Sequence, residues 1–112
     1  EGLTFGVKAG LELETILEVV GSTFATSGIM TKMLPAKAFK GDFSIGFKTT
    51  LSHKDIRLAL GLAEAAGLDA PVGKGVFETL QRTIDAGYGD DDFASMLRVN
   101  EQKAGVEVRL KK

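Results

Sequence analysis

Lys54 and Asp55 stand side by side, an ammonium next to a carboxylate. A lysine ammonium is a compact point charge on a flexible stem, suited to reaching a phosphate or another polar group of a ligand. Asp55 can orient that ammonium or a substrate-binding side chain. Equally, it can close a capping box with Ser52, three residues earlier. Phe47, eight residues before Asp55, offers an apolar face that either packs in the core or borders a cleft. His53 is the only histidine and the chain has no cysteine. Neither a metal site nor a catalytic triad can be assembled around one imidazole, so His53 reads as structural or solvent-facing. Asp90, Asp91 and Asp92 lack the alternating spacing and glycine of a calcium loop and read as helix-capping residues. Met30 and Met33 read as core or subunit contacts rather than ligands.

The elements that must position these groups are helical. Ile56, Ala59, Leu60 and Ala63 follow the i, i+3, i+4, i+7 spacing of a helix face. The capping-box reading starts that helix at Ser52. The alternative starts it near Phe47 and places Lys54 and Asp55 inside it. Leu58 and Leu62 add a second apolar side, so this helix is expected to be central or to lie at an interface. Upstream, Leu3 and Val7 read as the tail of a helix, ended by Lys8 and Gly10. Glu12 and Glu14 place negative charge on the first turn of the next helix, with Leu13, Ile16, Leu17 and Val20 as its buried stripe. Ser27 is a candidate cap for a short helix carrying Ile29, Met30, Met33 and Leu34. Pro35 is expected to kink that helix or to mark a fresh start.

Downstream, Gly67 ends the long helix and Pro71 opens another in its first turn. Val72, Val76, Phe77, Leu80 and Ile84 form the expected core stripe of that helix. Asp90 to Asp92 lead into a last helix that buries Phe93, Met96, Leu97 and Val99. Residues 106–112 read as a tail with a short extended segment. The expected fold class is all-α, with about five to six helices in one domain of 112 residues.

Composition bounds the function. Fourteen basic and 15 acidic residues leave a net charge of −1, so nothing marks a polyanion partner such as nucleic acid. Without cysteine, disulfides and thiolate metal sites are excluded. No apolar run approaches the roughly 20 residues of a membrane span, and a cytoplasmic location is the default expectation. The chain opens without an initiator methionine or a helix cap, so a fragment of a longer protein is expected.

The order and wording of these pieces resemble the C-terminal helical domain of the 3-hydroxyisobutyrate dehydrogenase family. That family is a branch of the β-hydroxyacid dehydrogenases, in the 6-phosphogluconate dehydrogenase-like superfamily. The resemblance is carried by Ala9-Gly10-Leu11 with Glu14 to Val20, then Lys40-Gly41-Asp42-Phe43, Phe47 and Lys54-Asp55-Ile56-Arg57-Leu58-Ala59. It continues through Ala66-Gly67-Leu68 to Gly89-Asp90-Asp91-Asp92-Phe93. Order and spacing carry it together, up to about Lys103.

The resemblance implies an NAD(P)-dependent parent enzyme that transfers a hydride between a nicotinamide cofactor and a small 3-hydroxy acid. It implies an N-terminal Rossmann domain, and a helical domain that closes the cleft and pairs subunits into a homo-oligomer. Lys54 and Phe47 match the residues that face the cofactor, and Asp55 an orienting position. The family's catalytic lysine lies in a Lys-x-x-Asn motif. No such motif occurs here, and the only asparagine is Asn100. That lysine is therefore expected upstream of residue 1. The alternative is a non-catalytic helical dimerisation or interaction module.

Overall fold

The first helix, α1 (Gly2–Lys8), ends where Gly10 turns into positive φ, a conformation that costs a side-chain-bearing residue about 1–2 kcal/mol. The computed structural model that shows this describes residues 1–112. Five more helices follow: α2 (Leu13–Gly21), α3 (Leu34–Ala36), α4 (Thr49–Ala65), α5 (Pro71–Thr83) and α6 (Met96–Ala104). No sheet forms, and the one β-type contact is an isolated bridge between Lys48 and Asp92. The chain divides into two compact units. One comprises residues 1–43 with 97–112, and the other residues 44–96.

In the first unit, Leu3, Leu13, Phe39 and Val108 form the buried core, with Val7, Ile16, Leu17, Met30 and Leu34 packed against it. Phe39 is fully buried, a contribution of about 2–3 kcal/mol. It sits in a 3-10 turn, Ala38–Lys40, which Gly41 closes in the left-handed region at φ +81°. The expected apolar stripe of α2 is the observed one: Leu13 is buried and Ile16, Leu17 and Val20 are half-buried. Before α3, residues Ile29–Met33 form a wide π-type turn. The Ser27 hydroxyl accepts the Met30 N–H at 3.2 Å, as a cap would. Pro35 lies in the first turn of α3, and the backbone stays right-handed helical from the π-type turn through Met33 and Leu34 into it.

The C-terminal segment is not a tail. Val108 is fully buried, and Leu110 donates its backbone N–H to the Phe39 carbonyl at 3.0 Å. Glu101 of α6, itself buried, accepts the Val108 N–H at 2.7 Å and binds the Arg109 guanidinium with both carboxylate oxygens. The guanidinium carbons of Arg98 and Arg109 lie 5.0 and 5.4 Å from the centroid of the Phe43 ring. The partners lie too far along the chain for local pattern to reveal.

In the second unit, α4 packs on α5. His53 stacks on Phe77 with ring centroids 4.3 Å apart. Gly73 brings the two helices close enough that a Cβ there would meet a Leu60 methyl at 3.1 Å. Leu80 and Thr83 are fully buried. The expected core stripe of α5 holds only in part. Leu80 is core, and Phe77 and Ile84 are half-buried, but Val72 is 80% exposed and Val76 is exposed as well. On α4, Ile56, Leu60 and Ala63 are half-buried, Ala59 is exposed, and the second apolar side of Leu58 and Leu62 faces outward. Two packed helices bury only the residues along their line of contact, so the stripe narrows to that line.

Candidate functional site

The candidate residues Phe47, Lys54 and Asp55 all lie in the second unit, on the loop before α4 and on its first half. The start of α4 decides their setting. The helix begins at Thr49, before Ser52, so the capping-box reading is replaced by the alternative that places Lys54 and Asp55 inside the helix. Its N-cap residue, Lys48, makes no side-chain capping bond. Helix starts leave their first N–H groups without intrahelical partners. Here a distant loop supplies them: Thr49 donates to the Asp91 carbonyl at 2.9 Å and Thr50 to the Gly89 carbonyl at 3.1 Å. The Thr49 hydroxyl adds bonds to the carbonyls of Asp91 and Asp92.

Asp92 completes the arrangement. One carboxylate oxygen accepts the backbone N–H groups of Gly46 and Phe47, at 2.9 and 3.0 Å. The other accepts the Ala94 N–H at 3.0 Å and so caps the 3-10 turn Phe93–Ser95 that leads into α6. The Phe47 carbonyl in turn accepts the Phe93 N–H at 2.9 Å. Lys48 pairs with Asp90 at 3.2 Å on the exposed rim. The capping role expected of the aspartate run is therefore real for Asp92. Its grip on Gly46 and Phe47 went unseen, because it spans 46 and 45 positions of sequence and no local signal announces it.

Phe47 leaves this clamp 41% exposed, with its ring edge-on to Phe93 at 6.3 Å. The Lys54 ammonium lies 3.0 Å from the Asp55 carboxylate, and its side chain is 48% exposed. An exposed ion pair contributes about 0–1 kcal/mol to stability, so both groups can rearrange toward a ligand at little cost. Lys54 lies along an outward stripe of α4 between Leu51 and Leu58, both exposed. The unit thus carries an exposed cation at Lys54 and a partly exposed aromatic ring at Phe47.

His53 stays structural: its ring lies against Phe77 and its Nε2 is buried without a hydrogen-bond partner. An open groove of about 680 Å3 lies by the C-terminal half of α4 and is lined by Arg57, Glu64, Asp69, Lys74 and Phe77 among others. It contains none of the three candidate residues. Its concavity follows from the α4–α5 corner, where Lys74 binds Asp69 at 2.5 Å. That contact lowers the Asp69 carboxyl and raises the Lys74 ammonium from their ordinary values.

A sequence profile described as the NAD-binding domain of NADP-dependent 3-hydroxyisobutyrate dehydrogenase matches residues 1–100. The chain belongs to this family. The match takes in α1 to α5 and the Asp92 clamp. Among relatives, a 2-(hydroxymethyl)glutarate dehydrogenase of Eubacterium barkeri is 32% identical over 108 residues, covering 96% of this chain and 36% of that protein. A 3-sulfolactaldehyde reductase of Escherichia coli is 30% identical over 101 residues, covering 90% of this chain and 34% of the relative. The chain thus spans about a third of the length of these curated relatives. In structure, a 3-hydroxyisobutyrate dehydrogenase from Salmonella typhimurium superposes with a TM-score of 0.77 over 88% of this chain and 34% of that one. At 20% identity that likeness is one of fold. It agrees with the all-α architecture expected from the sequence.

Proposed function

We propose that this chain is the helical, cofactor-facing part of an NAD(P)-dependent β-hydroxyacid dehydrogenase. The observation that carries the reading is the family match over residues 1–100, which includes both Phe47 and Lys54. In the parent enzyme a hydride moves between the nicotinamide and the hydroxyl-bearing carbon of a small 3-hydroxy acid resembling 3-hydroxyisobutyrate. The general acid/base is a lysine in the part of the parent that precedes this chain. Within this chain, the Lys54 ammonium supplies positive charge to the dinucleotide and Phe47 supplies an apolar wall. Asp55 holds Lys54 while the site is empty. The small-acid specificity and the choice between NAD and NADP rest with the portion that carries the dinucleotide loop.

The direct test is turnover. The full-length protein, given NAD or NADP with a panel of short 3-hydroxy acids, is expected to form reduced nicotinamide, read by its near-ultraviolet absorbance. Absence of turnover and of nucleotide binding across the panel overturns the reading.

A second reading, a helical dimerisation module, is supported by the outward Leu58 and Leu62 of α4, the latter 73% exposed. The two are compatible, and we include a homo-oligomer paired through this face in the proposal. A cytoplasmic location also belongs to it, to be checked by cell fractionation. No helix is long and apolar enough to cross a membrane.

A further inference from the structure

Asp92 is buried, yet its carboxylate is shared between two tasks that differ in kind. Capping the Phe93–Ser95 turn through the Ala94 N–H is local and needs one oxygen. Accepting Gly46 and Phe47 needs the other oxygen and joins two loops separated by 45 and 46 positions. Bonds from amide donors to an ionised acceptor are shorter and stronger than neutral ones. A carboxylate held by three N–H groups leaves the backbone at Phe47 little freedom. Two residues on, the same loop pair receives the first amides of α4, the helix that carries Lys54.

We propose that Asp92 is the positioning residue of the cofactor-facing wall: by holding the Gly46 and Phe47 amides it sets the direction of the Phe47 ring and the start of α4, and so the reach of Lys54. This rests on the cofactor-facing reading of Phe47 and Lys54. Asp92 itself touches no ligand.

Serine separates the two tasks. As an N-cap it serves as well as aspartate, but its side chain is too short to reach Gly46 and Phe47 while capping Ala94. In the full-length protein, Asp92→Ser is expected to weaken NADH and NADPH binding about tenfold, roughly the worth of one charge-assisted bond, measured by nucleotide fluorescence. Val108→Ala, a core change in the other compact unit, serves as the destabilised control and is expected to leave affinity unchanged. In the 112-residue chain, hydrogen exchange followed by NMR is expected to show the Gly46 and Phe47 amides exchanging faster in Asp92→Ser while the Ala94 amide stays protected.

Equal nucleotide affinity in Asp92→Ser and wild type overturns the proposal, and so does unchanged protection of the Gly46 and Phe47 amides. Phe47→Ala and Lys54→Ala tell the two levels apart. If they weaken binding and Asp92→Ser does not, the positioning role alone fails. If none of the three matters, the cofactor-facing reading fails with it. Where Asp92→Ser does not fold, Asp92→Asn replaces it: one oxygen remains, and loss of affinity with the Gly46 and Phe47 amides deprotected supports the role.

Discussion

The Glu101 carboxylate receives the backbone N–H of Val108 at 2.7 Å, seven residues beyond it. The same carboxylate grips the Arg109 guanidinium. A buried side chain of α6 thereby folds the C-terminal segment back, and Val108 enters the core beside Phe39, Leu3 and Leu13.

Glu101→Ala is expected to lower stability by about 2–3 kcal/mol, since it leaves a buried N–H and a half-buried guanidinium without their acceptor. Glu101→Gln keeps one acceptor and is expected to lose about half as much. Urea denaturation of the 112-residue chain checks both. Equal stability of wild type and Glu101→Ala would show that the segment is held by Val108 and Leu110 alone.

The end of that segment titrates. Glu14 accepts the Lys111 backbone N–H at 2.7 Å, and this bond, ahead of the nearby Lys111 ammonium, holds the Glu14 carboxyl below its usual 4.5. A carboxyl lowered in the folded state stabilises at pH above its unfolded value, and loses that contribution as pH falls through the folded value. Lys111, raised above 10.5 chiefly by Glu12, contributes below 10.5 and loses its contribution as pH rises through its folded value. The Lys111 amide resonance is expected to shift with a midpoint below pH 4.5, and the shift is expected to disappear in Glu14→Gln. A midpoint at or above 4.5 contradicts the contact.

Lys54 is the most direct probe of the proposed cofactor-facing role. Lys54→Ala in the full-length protein is expected to raise the Kd for reduced nicotinamide dinucleotide about tenfold, whereas Lys54→Arg, which keeps the charge, is expected to recover part of the loss. Stability should change by less than about 0.5 kcal/mol, because the pair with Asp55 is exposed. A Kd unmoved by either change removes Lys54 from the site.

The outward leucines of α4 bear on assembly. The 112-residue chain is expected to dimerise at high micromolar concentration, and Leu62→Glu, which sets a charge on the exposed stripe, is expected to leave it monomeric. Sedimentation equilibrium reads both. A wild-type monomer at that concentration rejects pairing through this face.

Local chemistry was enough for much of this molecule. Apolar spacing in residues 13–20 and 56–63, glycines 10 and 67, Pro71 at the head of α5 and Ser27 before its turn act within a few residues. Each sets helix or turn by sterics and nearby hydrogen bonds, so the all-α class and most helix ends could be read in order. The wording of the same stretches also carried the family.

Contacts between distant parts of the chain decided the rest. Thr49 rather than Ser52 opens α4 because its amide finds the Asp91 carbonyl. Phe47 is held because a carboxylate 45 positions away faces its N–H. Val108 is core because Glu101 and Phe39 receive its segment. Leu62 and Val72 keep the periodicity of a core yet stand exposed, since a periodic pattern shows that a face is apolar and only packing shows what covers it.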